Sequence, residues 1–124
     1  MADKLDEVIF YQMSMELWND CWDDTDILLK DIRGTEICKQ LIRAVGSISA
    51  NIEEGFGRGF GKEYPQYLRI SRGSAREARG WYRRSNRLLD KRVLELREQK
   101  LSSIIAMISK SIQTLEEKRK ALLR

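Results

Sequence analysis

The chain has 124 residues, 42% of them hydrophobic and 34% charged, with a formal net charge of +4 and a single proline. That length suits one domain with its own core, and that balance fits a soluble helical protein, not a membrane, disordered or disulfide-built one. Histidine is absent, which removes the commonest general base and metal ligand, every Ser–His or Cys–His pair, and the Glu-x-x-His pairs of di-iron bundles.

Those exclusions point to a protein that is not an enzyme and needs no cofactor or metal. The start, "MADKLDEV", is polar and holds no secretory apolar stretch, and the longest apolar run is Ile104–Ile108, too short to span a bilayer. The expected location is cytoplasmic, with no membrane partner. Cys21 and Cys38 form no CxxC motif and read as two small half-buried thiols in a reducing compartment.

The spacing predicts a first helix over about 6–32, with Ile9, Met13, Leu17, Cys21 and Leu28 on one face. Arg33-Gly34 reads as its stop. Within it, "NDCWDDTD" gathers four carboxylates at residues 19–26, but no glycine and distal glutamate follow as a calcium loop requires. The stretch is expected to be an acidic solvated face, or one that meets a basic helix of a neighbouring subunit.

A second helix is predicted over 35–56, capped by Thr35, with Ile37, Leu41, Ala44, Ile48 and Ile52 as its apolar row. Asn51 and Glu54, one turn apart, are expected to tie the following turn, or Arg43 and Ser74, into a hydrogen-bonded network. Gly46, Ser47, Ser49 and Ala50 form a small-residue patch, to be matched on the next helix by Gly73 and Ser74.

Glycines then fall at every second position: Gly55, Gly57, Gly59 and Gly61. A dinucleotide loop needs G-x-G-x-x-G after a strand, and a P-loop needs Ser or Thr after Gly-Lys. Here a helix precedes the run, and Gly61-Lys62 is followed by Glu63. The run is therefore a joint. Gly55 or Gly57 is expected at the left-handed position that ends a helix, with Phe56 and Phe60 plugging the bundle end and Arg58 and Lys62 keeping the loop cationic.

The third helix is predicted over 62–89, with Pro65 in its first turn. Arg69, Arg72, Arg76, Arg79, Arg83 and Arg87 fall within an arc of about 80° at about 100° per residue. Ile70, Ser74, Ala78, Trp81, Ser85 and Leu89 lie opposite, toward the expected core. A one-signed stripe is self-repelling, and arginine's planar fork suits phosphate. The fourth helix is predicted over 93–123, with Leu101, Ile104, Ile108, Ile112, Leu115 and Leu122 as its seam. Short joints make consecutive helices antiparallel neighbours. The expected fold is an all-α, up-down-up-down four-helix bundle in one domain, 1–124.

Charge is unevenly placed along it. Residues 1–57 carry 5 basic and 12 acidic groups, and residues 58–100 carry 13 basic and 5 acidic ones. Such asymmetry implies an anionic partner or two oppositely charged surfaces that meet.

"RAVGSISANIEEGFGRG", residues 43–59, and "YLRISRGSAREAR", residues 67–79, resemble the two hallmarks of the 23S rRNA intervening-sequence proteins. That family is related to the accessory variability proteins of diversity-generating retroelements. Arg43, Ala44, Ser47, Ile48, Asn51, Ile52, Glu54, Gly55 and Arg58 occupy the first motif, and Leu68, Gly73, Ser74 and Glu77 the second. The resemblance implies an antiparallel four-helix bundle assembled as a ring-like homopentamer, with no known catalysis. The retroelement relatives act with a reverse transcriptase and bind nucleic acid. Together with the stripe, this leads to an expected nucleic-acid-binding scaffold or accessory protein. It would hold structured RNA or an RNA–DNA hybrid through Arg58, Lys62 and the six arginines. The alternative is a protein–protein adaptor whose basic helix docks on an acidic partner or neighbouring subunit.

Overall fold

The computed structural model describes residues 3–59 and 61–123. A 3₁₀ turn at Lys4–Glu7 leads into α1 (Ile9–Leu28), α2 (Ile32–Gly57), α3 (Glu63–Arg84) and α4 (Lys91–Leu122). Among the described residues there is no strand. Each helix packs on its chain neighbours, and α4 closes back on α1.

Side-chain contacts give the directions. Tyr11 meets Glu53, and Trp18 lies over Gly46; Ser71 meets Ile48, and Ser47 meets Ser74. Arg72 meets Ser109, Arg79 meets Ser102, Asp24 meets Arg97, and Asp20 meets Lys100. In every pair of neighbours one number rises as the other falls, so all four packed pairs are antiparallel. The molecule is a four-helix bundle.

The core is built mainly from Leu17, Cys21 and Leu28 of α1, Leu41, Val45, Ile48 and Ile52 of α2, Leu68, Ala75, Ala78 and Tyr82 of α3, and Leu101, Ile104 and Ile108 of α4. The predicted rows of α2 and α4 hold at their centres. The ends differ. Ile9 is 57% exposed because Phe10 takes the core position in the first turn of α1, and Leu122 is 86% exposed because α4 has 32 residues and α1 only 20. The last turns of α4 project past the point where α1 begins.

The first joint is not Arg33-Gly34. It falls at 29–31, and Asp31 caps α2 by accepting from the Arg33 backbone N–H at 2.9 Å. Gly34 sits inside the first turn of α2, where a Cβ would run into the Leu28 carbonyl. The glycine therefore marks a close approach of two chain segments and not a helix stop. Asp90 caps α4 in the same way, accepting from Arg92 N–H at 2.8 Å.

The glycine joint also differs from expectation. Gly55 and Gly57 are both helical, and the left-handed residues are Gly59 (φ 78°) and Gly61 (φ 119°). Gly55 is buried for another reason. A Cβ there would come within 2.7 Å of Tyr67 Cβ and 2.9 Å of Tyr64 Cδ1. Phe56 meets Tyr64 edge-on, with centroids 5.9 Å apart; its predicted companion, Phe60, lies outside the described residues.

Candidate nucleic-acid interface

Helix α3 buries Leu68, Ser71, Ala75, Ala78 and Tyr82, a row at spacings of three and four. Small residues at its centre bring it close to α2, and the Ser71 hydroxyl donates to the Ile48 carbonyl at 2.8 Å. This row corrects the predicted one: Ile70 is 53% exposed, and Ser74 and Trp81 are half-buried. The arginine arc consequently falls on the seam between α3 and α4, not on an open outer face.

Helix α4 answers the arc from its own side. Arg69 pairs with Glu116 and Arg83 with Glu98. Between them, Arg72 donates to Ser109 Oγ at 3.1 Å and Arg79 to Ser102 Oγ at 3.3 Å. Hydrogen bonding to Glu98 holds the Arg83 pKa above its ordinary value. Arg76 is exposed, and no carboxylate lies within 4.0 Å of it among the described residues. From Gln99 to Leu115, α4 contains no acidic residue. The ends of the α3 stripe, Arg69 and Arg83, are thus neutralised within the chain, while at its centre Arg72 and Arg79 meet only hydroxyls of α4 and Arg76 stands exposed. Arg79 Nε is buried without an acceptor, an uncommon state for a buried donor.

Arg87 leaves the stripe. Helix α3 ends at Arg84 because the Ser85 hydroxyl donates to the Trp81 carbonyl at 2.8 Å, and the Ser85 carbonyl then accepts from Leu88 and Leu89. The helical phase stops there, so Arg87 stands in the α3–α4 turn. At the other end, Arg58 donates to Glu54 at 2.7 Å and lies over the Tyr67 ring, 5.6 Å from its centroid. Lys62 is exposed in the glycine joint.

The motif residues line the outer side of the α2–α3 seam. Asn51 donates to the Ser47 carbonyl at 2.8 Å and to Ser47 Oγ at 2.9 Å, and Ser47 meets Ser74 at 2.8 Å. Arg43 bonds to Gln40 on its own helix, not to Ser74. Glu54 is spent on Arg58, so no single network joins the four residues. Gly73 is exposed, with nothing within 4 Å of where its Cβ would be, and so provides no thin surface for α2. The close approach on α2 is instead at Gly46, where a Cβ would lie 3.2 Å from the Trp18 ring. Glu77 is exposed.

The acidic stretch of α1 splits in two. Asp23 and Asp26 are exposed, whereas Asp24 is buried. Asp24 accepts from Tyr82 OH at 2.7 Å, from Arg97 Nε at 2.7 Å and from a second Arg97 nitrogen at 3.1 Å. Asp20 pairs with Lys100 at 3.0 Å and with Arg97 at 3.6 Å. Burial pulls the Arg97 pKa down, but hydrogen bonds and charge from Asp24, with Asp20 behind it, raise it overall. Asp20 and Asp24 are therefore occupied by α4 of their own chain. Sequence reasoning missed this cluster. Its only linear trace is an arginine close to the α4 apolar seam, which periodicity alone does not pair with a residue 73 positions away.

Among the described residues no group of three or more Cys, Asp or Glu side chains converges as a metal site, and no helix is long and apolar enough to cross a membrane. Both cysteines are buried and unpaired.

No curated protein matches the chain. The model of the 23S rRNA-intervening sequence protein family matches residues 6–110. That stretch holds the first three helices, both motif segments and the part of α4 that faces the centre of the stripe. On that match and its four-helix architecture, the chain belongs to the family of 23S rRNA-intervening sequence proteins.

Proposed function

We propose that the protein is a non-enzymatic, oligomeric scaffold that binds nucleic acid, and RNA in particular, along the α3–α4 seam. The observation that carries this reading is the centre of the stripe. Arg72, Arg76 and Arg79 stand together with two serine hydroxyls and no carboxylate from α4. Three guanidinium groups held side by side repel one another, and a phosphate backbone relieves that repulsion while using their paired N–H groups. The rRNA-related family name supports RNA as the polymer. The likeness to retroelement accessory proteins supports a ring-like homopentamer and an accessory role beside a reverse transcriptase.

The test is binding to a structured RNA as a function of salt. Counterion release predicts a log–log slope of about −0.9 per duplex phosphate contacted. Changing Arg72, Arg76 and Arg79 to glutamine should weaken binding across sequences and flatten the slope, with the fold retained. Parent protein that binds no RNA at low salt refutes the reading.

One observation favours the adaptor alternative. Trp22, 61% exposed and followed by exposed Asp23, stands on α1, away from the α3–α4 seam. An acidic aromatic surface and a basic seam on one molecule suit head-to-tail association. If the triple variant loses oligomeric state while the parent ignores RNA, the adaptor reading replaces the nucleic-acid one.

A further inference from the structure

We propose that Trp81 forms the floor of a base-binding site for single-stranded nucleic acid on the α2–α3 face, continuous with the stripe through Arg76. This rests on the nucleic-acid reading above and narrows it. A shallow, open depression of about 650 Å³ lies on that face. Arg43 enters it from α2, and Arg76 and Arg84 from α3. Among the described residues, no carboxylate lies within 4.0 Å of any of these three guanidinium groups.

The indole is half-buried, and the Arg84 guanidinium lies 4.9 Å from its ring centroid. An aromatic face covered only by a flexible cation is a stacking platform: a base can displace the guanidinium or slide under it. Gly80 stands beside the indole. Beyond its chain neighbours and its own helix backbone, a Cβ there would meet only the far end of Arg84, at 2.8 Å. A mid-helix glycine costs about 1 kcal/mol relative to alanine, and packing within the chain does not require this one. It leaves beside Trp81 a space that only the movable Arg84 guanidinium occupies.

The remaining lining favours a nucleotide over a bare phosphate. Gln40 offers both a donor and an acceptor, and Glu77 brings a carboxylate. A carboxylate opposes a phosphate but accepts from the amino group of a base, while the arginines hold the flanking phosphates. Bases of a duplex are stacked and paired and cannot lie on an indole, so the site selects an unpaired base.

The experiment compares a short mixed-sequence RNA strand, the same strand with internal abasic positions, and the corresponding duplex. Each is titrated against the parent and against Gly80→Leu, which adds an apolar side chain at the lining of the site, where a Cβ meets only the movable end of Arg84. Leucine is also the better helix former, so the variant should melt no lower than the parent. The parent should prefer the intact strand over the abasic strand by about tenfold. Gly80→Leu should abolish that preference and leave duplex binding and its salt slope unchanged. Equal affinity of parent and Gly80→Leu for the intact strand overturns the proposal, and so does equal binding of intact and abasic strands by the parent. If strand binding falls in the Arg72/Arg76/Arg79 glutamine variant but is indifferent to Gly80→Leu, only the base site fails. If the parent binds neither strand nor duplex, the stripe reading fails with it.

Discussion

Replacing Arg97 by methionine should be among the most damaging single changes to this bundle. The Arg97 side chain is 14% exposed and that of Asp24 3%. Methionine keeps much of the volume but removes both guanidinium hydrogen bonds, at 2.7 and 3.1 Å. Asp24 would then keep only the Tyr82 hydroxyl, at 2.7 Å. Leaving a buried carboxylate without its counter-ion costs about 3–5 kcal/mol. For a domain of this size each kcal/mol lowers the melting temperature by about 4 °C, so a fall of about 12–20 °C is expected. Thermal unfolding followed by circular dichroism measures it. Asp24→Asn alone should also destabilise, because it strips Arg97 of its main partner. The double variant should be less damaged than the two single effects added together, with a coupling of about 1–3 kcal/mol. A melting temperature within about 3 °C of the parent for Arg97→Met would refute the reasoning, as would strict additivity. Either result would mean that the Asp24–Arg97 pair adds little to the packing and the other polar contacts that hold α4 in place.

Gly55→Ala should destabilise by more than ~1 kcal/mol, since its Cβ would press on Tyr67 and Tyr64, whereas Gly57→Ala, in open space, should be neutral or slightly stabilising in chemical denaturation. Gly59→Val should also destabilise, because its φ of 78° is strained for a β-branched residue. Asp90→Ala should cost about 0.5–2 kcal/mol through loss of the α4 cap, read from the urea midpoint. Burial pushes the Cys21 thiol up to about 12 from 9.0 and raises the Tyr82 phenol as well. Both groups are neutral in the folded protein where the unfolded chain would ionise, so their contribution is complete below pH 9 and is lost as pH rises toward 12 and beyond. Melting temperature should therefore fall steeply above pH 9, and Cys21→Ala should shallow that slope. At pH 8 the native protein should resist thiol alkylation at Cys21, becoming reactive only on unfolding.

Periodicity and composition alone determined the number of helices, their order and the centres of the apolar rows of α1, α2 and α4, but not that of α3. Leu41, Ile48 and Ile52, or Leu101, Ile104 and Ile108, recur at helical spacing because only one side of each helix leaves water, and that constraint is written locally. The helix ends were less legible. Arg33-Gly34 and Gly55 imitate termination signals, but both glycines answer close approaches from Leu28 and from Tyr64 and Tyr67, contacts between helices that the linear signal does not reveal. The arginine arc was also visible in the sequence, since its phase is a property of one helix. Its meaning was not. Whether an arginine is neutralised depends on the residue that antiparallel packing sets against it, and this register pairs Arg69 and Arg83 with glutamates but Arg72 and Arg79 with serines. The same packing buries Asp24 among Tyr82 and Arg97 while leaving Asp23 in water. One residue along an α-helix is a turn of about 100°, and only the positions of the other three helices decide which of two adjacent carboxylates that turn buries.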